Sequence, residues 1–143
     1  KIPTKAMLRN PAVTDYPATA GSPSNVITNY EFDLGSVYAS PDITTGIITV
    51  EDAGLYTLSA TIVFEEGTIN ESYVLEAIFT VNGSPVYSGM SSGEWTNKTT
   101  IMGLNGQASI VMGKGDACAV GVYCSVTDDI NILGGEVFLE QVT

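Results

Sequence analysis

The stretch Gly46-Ile47-Ile48-Thr49-Val50-Glu51-Asp52-Ala53-Gly54-Leu55-Tyr56-Thr57-Leu58-Ser59-Ala60-Thr61-Ile62-Val63-Phe64 reads as a strand, a tight turn and a second, longer strand. From Tyr56 onward the residues alternate. Tyr56, Leu58, Ala60, Ile62 and Phe64 lie on one side and Thr57, Ser59 and Thr61 on the other, the period of two of a strand with one buried face. The second face is small and polar but uncharged. A strand face turned to water usually carries Lys, Glu or Arg, so a Thr/Ser face flanked by Leu55 and Val63 predicts contact with another subunit.

Working outward, the 143 residues suffice for one domain with its own core. Hydrophobic residues make up 44% and charged residues 15%, and mean hydropathy is +0.20. No apolar run approaches the roughly 20 residues of a membrane-spanning helix, so the apolar excess is expected inside the domain or between subunits. Net charge is −11, from 16 acids and five bases, and Lys1, Lys5 and Arg9 lie at the start. From Asn10 onward 16 acids face only Lys98 and Lys114, a net of −14. Such a body lacks the basic patches that phosphate binding needs, so no nucleic-acid partner is expected.

Cys118 and Cys124 fall in a segment that reads as one strand, Asp116 to Val126. Six residues at ~3.3 Å each separate them by about 20 Å, beyond the ~7 Å reach of a disulfide. Two free, buried thiols are predicted. The chain opens at Lys1 with no signal-peptide pattern, so a C-terminal domain excised from a longer protein is expected.

Residues 1–25 contain Pro11, Pro17 and Pro23 and read as an extended lead-in from an upstream stalk, with residues 26–143 as the domain proper. Strand signals recur at 26–34, 46–50, 54–64, 72–82, 85–90, 99–103, 106–113, 116–126 and 133–142. Asn82-Gly83 and Asn105-Gly106 are hairpin-turn dipeptides, because both central positions of the favoured turn need positive φ. No segment keeps a helical apolar period. The expected fold is all-β, a sandwich of two antiparallel sheets.

Three segments resemble the jelly roll shared by tumour necrosis factor and the globular head of the first complement component. Gly46-Ile-Ile-Thr-Val50 with Ala53-Gly54-Leu55-Tyr56 is similar to the family's Gly-x-Phe-Thr and Gly-x-Tyr signature, Ile48 standing where an aromatic is usual. The segment from Gly106 through Gly115-Asp116 to Val120 resembles its strand, Gly-Asp turn, strand. Leu133-Gly134-Gly135-Glu136-Val137-Phe138-Leu139 resembles its closing strand, without the family's aromatic. The resemblance implies a homotrimer whose axis is lined by the strand after the Gly-x-Tyr signature and by the closing strand, here Thr57, Ser59, Thr61, Val137 and Leu139. Alternation in 117–126 independently leaves Ala119, Gly121, Tyr123 and Ser125 off the core side, and Tyr123 is added to the candidate interface. The Pro-rich lead-in, acidity and unpaired cysteines further resemble the knobs that cap the tail needles of short-tailed bacteriophages. That resemblance implies a virion protein that touches a bacterial cell-surface component during attachment or genome delivery. The alternative it leaves is an adhesion or signalling module that binds a protein receptor.

No enzymatic activity is expected. The chain has no histidine, which excludes Ser-His-Asp, Cys-His and His-ligated metal chemistry. Glu51/Asp52, Glu65/Glu66, Asp128/Asp129 and Glu136/Glu140 are the carboxylate pairs that glycoside cleavage would require, and three of the four read as solvated turns. Asp128-Asp129 with Asn131 reads as turn chemistry rather than a calcium loop. No metal and no cofactor is expected. The lone Trp95, in the polar run 91–98, either recognises a partner, with Tyr87 beside it, or caps the sandwich. Lys98 and Lys114 are the cations that would hold a small anionic ligand between subunits. Asn70-Glu-Ser72, Asn82-Gly-Ser84 and Asn97-Lys-Thr99 match the N-glycosylation pattern, a weak signal in so Asn/Thr-rich a chain.

Overall fold

The computed structural model describes the backbone of residues 2–18, 25–65, 73–95, 101–125 and 128–143, and their side chains except at 13–15, 17–18, 25, 73–75, 87–95 and 128–129. Its strands are β1 (Lys5–Pro11), β2 (Val13–Ala18), β3 (Asn25–Val26), β4 (Tyr30–Leu34), β5 (Ala39–Asp42), β6 (Ile47–Val50), β7 (Gly54–Glu65), β8 (Tyr73–Val81), β9 (Ser84–Trp95), β10 (Ile101–Met112), β11 (Ala117–Cys124) and β12 (Asp128–Gln141). They pair into two antiparallel sheets. One runs β10-β7-β12-β1-β4 with β2 also on β12, and the other runs β5-β6-β11-β8-β9 with β3 also on β11. The all-β sandwich expected from the sequence is the fold observed.

The stretch that opened the sequence reading forms β6, a turn and β7. Tyr56, Leu58, Ala60, Ile62 and Phe64 are all buried in the core, each large side chain contributing about 1.5–3 kcal/mol by leaving water. The Tyr56 hydroxyl donates to the Asp52 carbonyl oxygen and so closes the turn between the two strands. Cys118 and Cys124 form no disulfide and are buried on the inward side of β11 beside Val120 and Val122, as predicted. Asn82 and Gly83, with φ of 51° and 80°, make the two-residue turn that joins β8 to β9.

Four expectations are corrected by pairing over long range. Asn105-Gly106 is not a turn. β10 runs unbroken from Ile101, opposite Glu65, to Met112, opposite Gly54, and a twelve-residue ladder outweighs the dipeptide's local preference. The segment 26–34 is not one strand, because Asn29, at φ 60°, breaks β3 from β4. Asp128, Asp129 and Asn131 lie in β12, where Asp128 and Asp129 pair with Ala18 and Pro17 of β2, rather than in a turn.

Residues 1–25, in turn, do not form a lead-in separate from the domain. β1 lies between β12 and β4 with Ala6 and Leu8 in the core, and the Tyr16 hydroxyl donates to the Val26 carbonyl oxygen at 2.7 Å. The Pro-rich composition hides an apolar alternation, Ala6 and Leu8, that has a sheet position to fill.

Gly46 shows why this fold needs particular residues at one close approach. At φ +74° a Cβ there would lie 1.9 Å from the Ile27 carbonyl oxygen, whereas at Gly83, with φ +80°, nothing lies within 4 Å. Gly46→Ala is therefore expected to destabilise by about 3 kcal/mol or more and Gly83→Ala by about 1 kcal/mol, measured by urea unfolding. Leu8→Ala is expected to lower stability by about 2–5 kcal/mol in the same measurement, and a neutral result would return residues 1–25 to the status of a lead-in.

Candidate functional site

Residues directly paired across antiparallel strands share a face, so the register lays out the outward surface of the first sheet row by row. One row runs Asn105, Thr61, Glu136, Arg9 and Phe32. The next runs Gln107, Ser59, Phe138, Met7 and Leu34, and a third runs Ser109, Thr57, Glu140 and Lys5. Beyond them lie Val111 and Leu55, both exposed. Ser59, Thr61, Asn105, Gln107, Glu136 and Phe138 line a shallow groove of about 510 Å³ whose floor is Ala60 and Gly106.

Two ion pairs cancel the acids of β12 on this face, and Glu65 stands exposed at the far end of β7. Arg9 donates from Nε and Nη2 to one Glu136 carboxylate oxygen at 3.0 and 2.8 Å, and Lys5 Nζ lies 3.1 Å from Glu140 Oε2. β10 carries no charge, and β7 carries none from Leu55 to Val63. Each exposed ion pair is worth only about 0–1 kcal/mol, so their main effect is to cancel charge on this face.

The backbone places this arrangement among solved structures. The chain is similar to the globular domain of zebrafish complement 1qA protein, with 14% identity, a TM-score of 0.61, and 99% of this chain and 98% of that one covered. It is similar to murine APRIL at 11% identity and a TM-score of 0.57, over 96% of this chain and 99% of that one. It is also similar to Eiger TNF from S. frugiperda at 12% identity and a TM-score of 0.56, over 99% and 92%. The fold is their jelly roll. No protein-family model matches the sequence, and no curated protein matches it.

The sequence-predicted interface residues divide among three locations. Thr57, Ser59 and Thr61 stand together on the outward face of β7, with Thr61 exposed and the other two half-buried. Val137 and Leu139 do not join them; they are 1% and 0% exposed and pack inward beside Ala60 and Leu58. The cause is a bulge. The β12–β7 register shifts between Ile132 and Gly134, so Leu133 swings outward and the inward set changes from Ile130 and Ile132 to Val137 and Leu139. Glu136, Phe138 and Glu140 therefore carry the outward face of the closing strand. Gly135, at φ +147°, allows the approach there, since a Cβ would stand 2.2 Å from the Thr61 carbonyl oxygen.

Tyr123 is half-buried on β11 opposite Glu76, in the other sheet, and does not reach this face. Lys114 is exposed in the turn between β10 and β11 and does not line the groove. The side chains of Trp95 and Tyr87, and Lys98 altogether, lie outside the described residues. Missed by sequence reasoning were Asn105, Gln107 and Ser109. Their signal was present in the alternation Leu104, Gly106, Ala108, Ile110, Met112, which the turn reading of Asn105-Gly106 interrupted.

Among the described residues, the Glu136/Glu140 pair lacks glycosidase spacing. Glu136 and Glu140 share a face, but four residues of strand separate them by roughly 13 Å at ~3.4 Å per residue, beyond the ~5–9.5 Å of glycosidase pairs. Among the described residues no group of three or more Cys, Asp or Glu side chains converges as metal ligands would. Asp116 has a structural role. Asp116 accepts from Asn82 Nδ2 at 3.0 Å and from the Gly113 amide at 2.8 Å, while Asn82 Oδ1 accepts the Ala117 amide at 3.0 Å, so one pair of side chains ties two turns.

Those bonds, the one from Asn82 first, hold the Asp116 carboxyl below the usual carboxylate range. A lowered folded-state pKa stabilises the fold above the unfolded value of about 3.9, and that stability is lost as pH falls through the folded value. In urea unfolding below pH ~4, Asp116→Asn is expected to lose less stability on acidification than the parent. Parallel losses in the two proteins would show that the carboxylate contributes nothing.

Proposed function

We propose that this domain is a non-enzymatic jelly-roll head that joins three copies through the outward face of its first sheet and offers its remaining surface to a binding partner. The face carries the proposal. On a chain of net charge −11, β10 and the Leu55–Val63 part of β7 carry no charge on this face, ion pairs that cancel border it, and Phe138 is half-buried at its centre. Identical acidic copies meet with least repulsion where neither presents a net charge. The similarity in fold to a complement globular domain and to Eiger TNF supports a self-associating head as the class.

Within that class we propose a viral tail-needle knob, carried on the virion, that contacts a bacterial cell-surface component through the run 91–98 around Trp95 and Lys98. Its supports are the acidic body, the free thiols and the Pro-containing first strands. The second reading is a module that binds a protein receptor, favoured by the similarity to murine APRIL and Eiger TNF. Excess isolated domain should slow adsorption of a short-tailed phage to its host under the first reading and leave adsorption unchanged under the second.

Self-association is tested by sedimentation equilibrium at micromolar concentration. The expected mass is three times the 15.0 kDa of one chain, and Ser59→Arg should reduce it to a single chain that keeps the parent's β-sheet circular dichroism spectrum. A parent protein that sediments as one chain removes the proposed function.

A further inference from the structure

We infer that the hydroxyl of Thr4 and the side-chain amide of Gln141 join in an ester bond that ties the two ends of the domain together covalently. The two residues stand opposite each other, one step beyond the Lys5–Glu140 pair, and the Gln141 backbone amide donates to the Thr4 carbonyl oxygen at 2.8 Å. Cβ atoms of residues so opposed lie about 4.5–5.5 Å apart, within the span of a glutamine side chain. Both side chains are polar, yet the residues are only 2% and 5% exposed. Thr4 Oγ1 is buried and finds no hydrogen-bond partner among the described residues, a costly state that a bond to carbon would end.

The amide is held as the electrophile of such a reaction must be. Its Oε1 accepts the Thr4 backbone N–H at 3.4 Å, a donor placed where negative charge develops when an oxygen adds to Cδ. Its Nε2 donates to Asp52 Oδ2 at 3.1 Å and to the Ala53 carbonyl oxygen at 3.4 Å, so the leaving nitrogen touches a carboxylate. Gly54 encloses the group, since a Cβ there would stand 2.8 Å from Nε2 and 3.6 Å from Cδ. Burial of both residues holds off water, the competing nucleophile.

The step transfers an acyl group from nitrogen to oxygen. Thr4 Oγ1 adds to Gln141 Cδ, the new C–O bond forms, the Cδ–Nε2 bond breaks, and the hydroxyl proton departs on the nitrogen as ammonia. Asp52 is the relay for that proton, being the carboxylate already in contact with Nε2. No oxidant, reductant or second substrate enters. The reaction occurs once per chain and so is self-modification rather than turnover. The bond closes a loop spanning 137 residues, and a closure so long constrains the unfolded chain strongly.

The test is the intact mass of the full chain as purified, followed by mass spectrometry of its tryptic peptides. Loss of ammonia should lower the mass by about 17 Da from the sequence value, and trypsin should release one species joining Ile2–Lys5 to the peptide that begins at Gly115. Alkaline hydroxylamine, which opens esters, should separate the two. Thr4→Val should show the mass of its sequence and no joined peptide, whereas Thr4→Ser, which keeps a hydroxyl, should still link. Asp52→Asn, unable to relay the proton, should be purified largely unlinked. A parent chain with the full sequence mass and separate peptides overturns the inference. A loss of about 17 Da confined to the peptide that holds Asn82-Gly83 is ring closure at that asparagine and overturns it too. An Asp52→Asn protein linked as completely as the parent overturns the relay.

Discussion

The structure depends on β7 being held along its whole length by two neighbours at once. β10 pairs with it from Glu65 to Gly54, and β12 pairs with it from Glu65 to Tyr56. With both ladders in place, the strand has no rotational freedom, and burying Tyr56, Leu58, Ala60, Ile62 and Phe64 obliges Thr57, Ser59 and Thr61 to face outward. Slipping either ladder by one residue would bury the hydroxyls and expose the aromatics. The polar face is therefore fixed by the core, and any function placed on it inherits the rigidity of the core.

How much of this was legible in the sequence follows from how far apart the deciding residues are. The alternation in β7, the Asn82-Gly83 turn and the separation of Cys118 from Cys124 are local facts, and the structure bears them out. Asn105-Gly106 carries an equally strong local turn signal, but its outcome was decided by Thr61 and Ala60 across the ladder. The bulge at Leu133 is likewise a property of two strands. Nothing in Leu133-Gly134-Gly135 alone states that the parity of the closing strand changes there, and so Val137 and Leu139 fall inside rather than outside.

The first strand was hardest to read, because all its partners are distant. Arg9 meets Glu136 across 127 residues, and Leu8 stands opposite Val137. A short run with three prolines nearby offers no local reason to enter a core. It does so because β12 would otherwise expose an edge where Val137 and Leu139 need neighbours, and Ala6 and Leu8 supply them. The Gln141 backbone amide, donating to the Thr4 carbonyl oxygen at 2.8 Å, fastens the two ends of the chain together in the same sheet.

The placement of that strand also decides the electrostatics. Two of the five bases in the chain, Lys5 and Arg9, stand opposite Glu140 and Glu136, the acids that β12 presents on the outward face. As exposed ion pairs they add little to stability. Their effect lies at short range, because charges farther than about 8 Å apart are largely screened at physiological salt, so two approaching copies respond to the acids on the facing surfaces more than to the total of −11. Without β1, three copies closing through this face would gather six uncompensated carboxylates around their contacts. With it, Glu136 and Glu140 of each copy are both compensated. The strand that looks least like part of the domain is what would permit so acidic a chain to meet itself through this face.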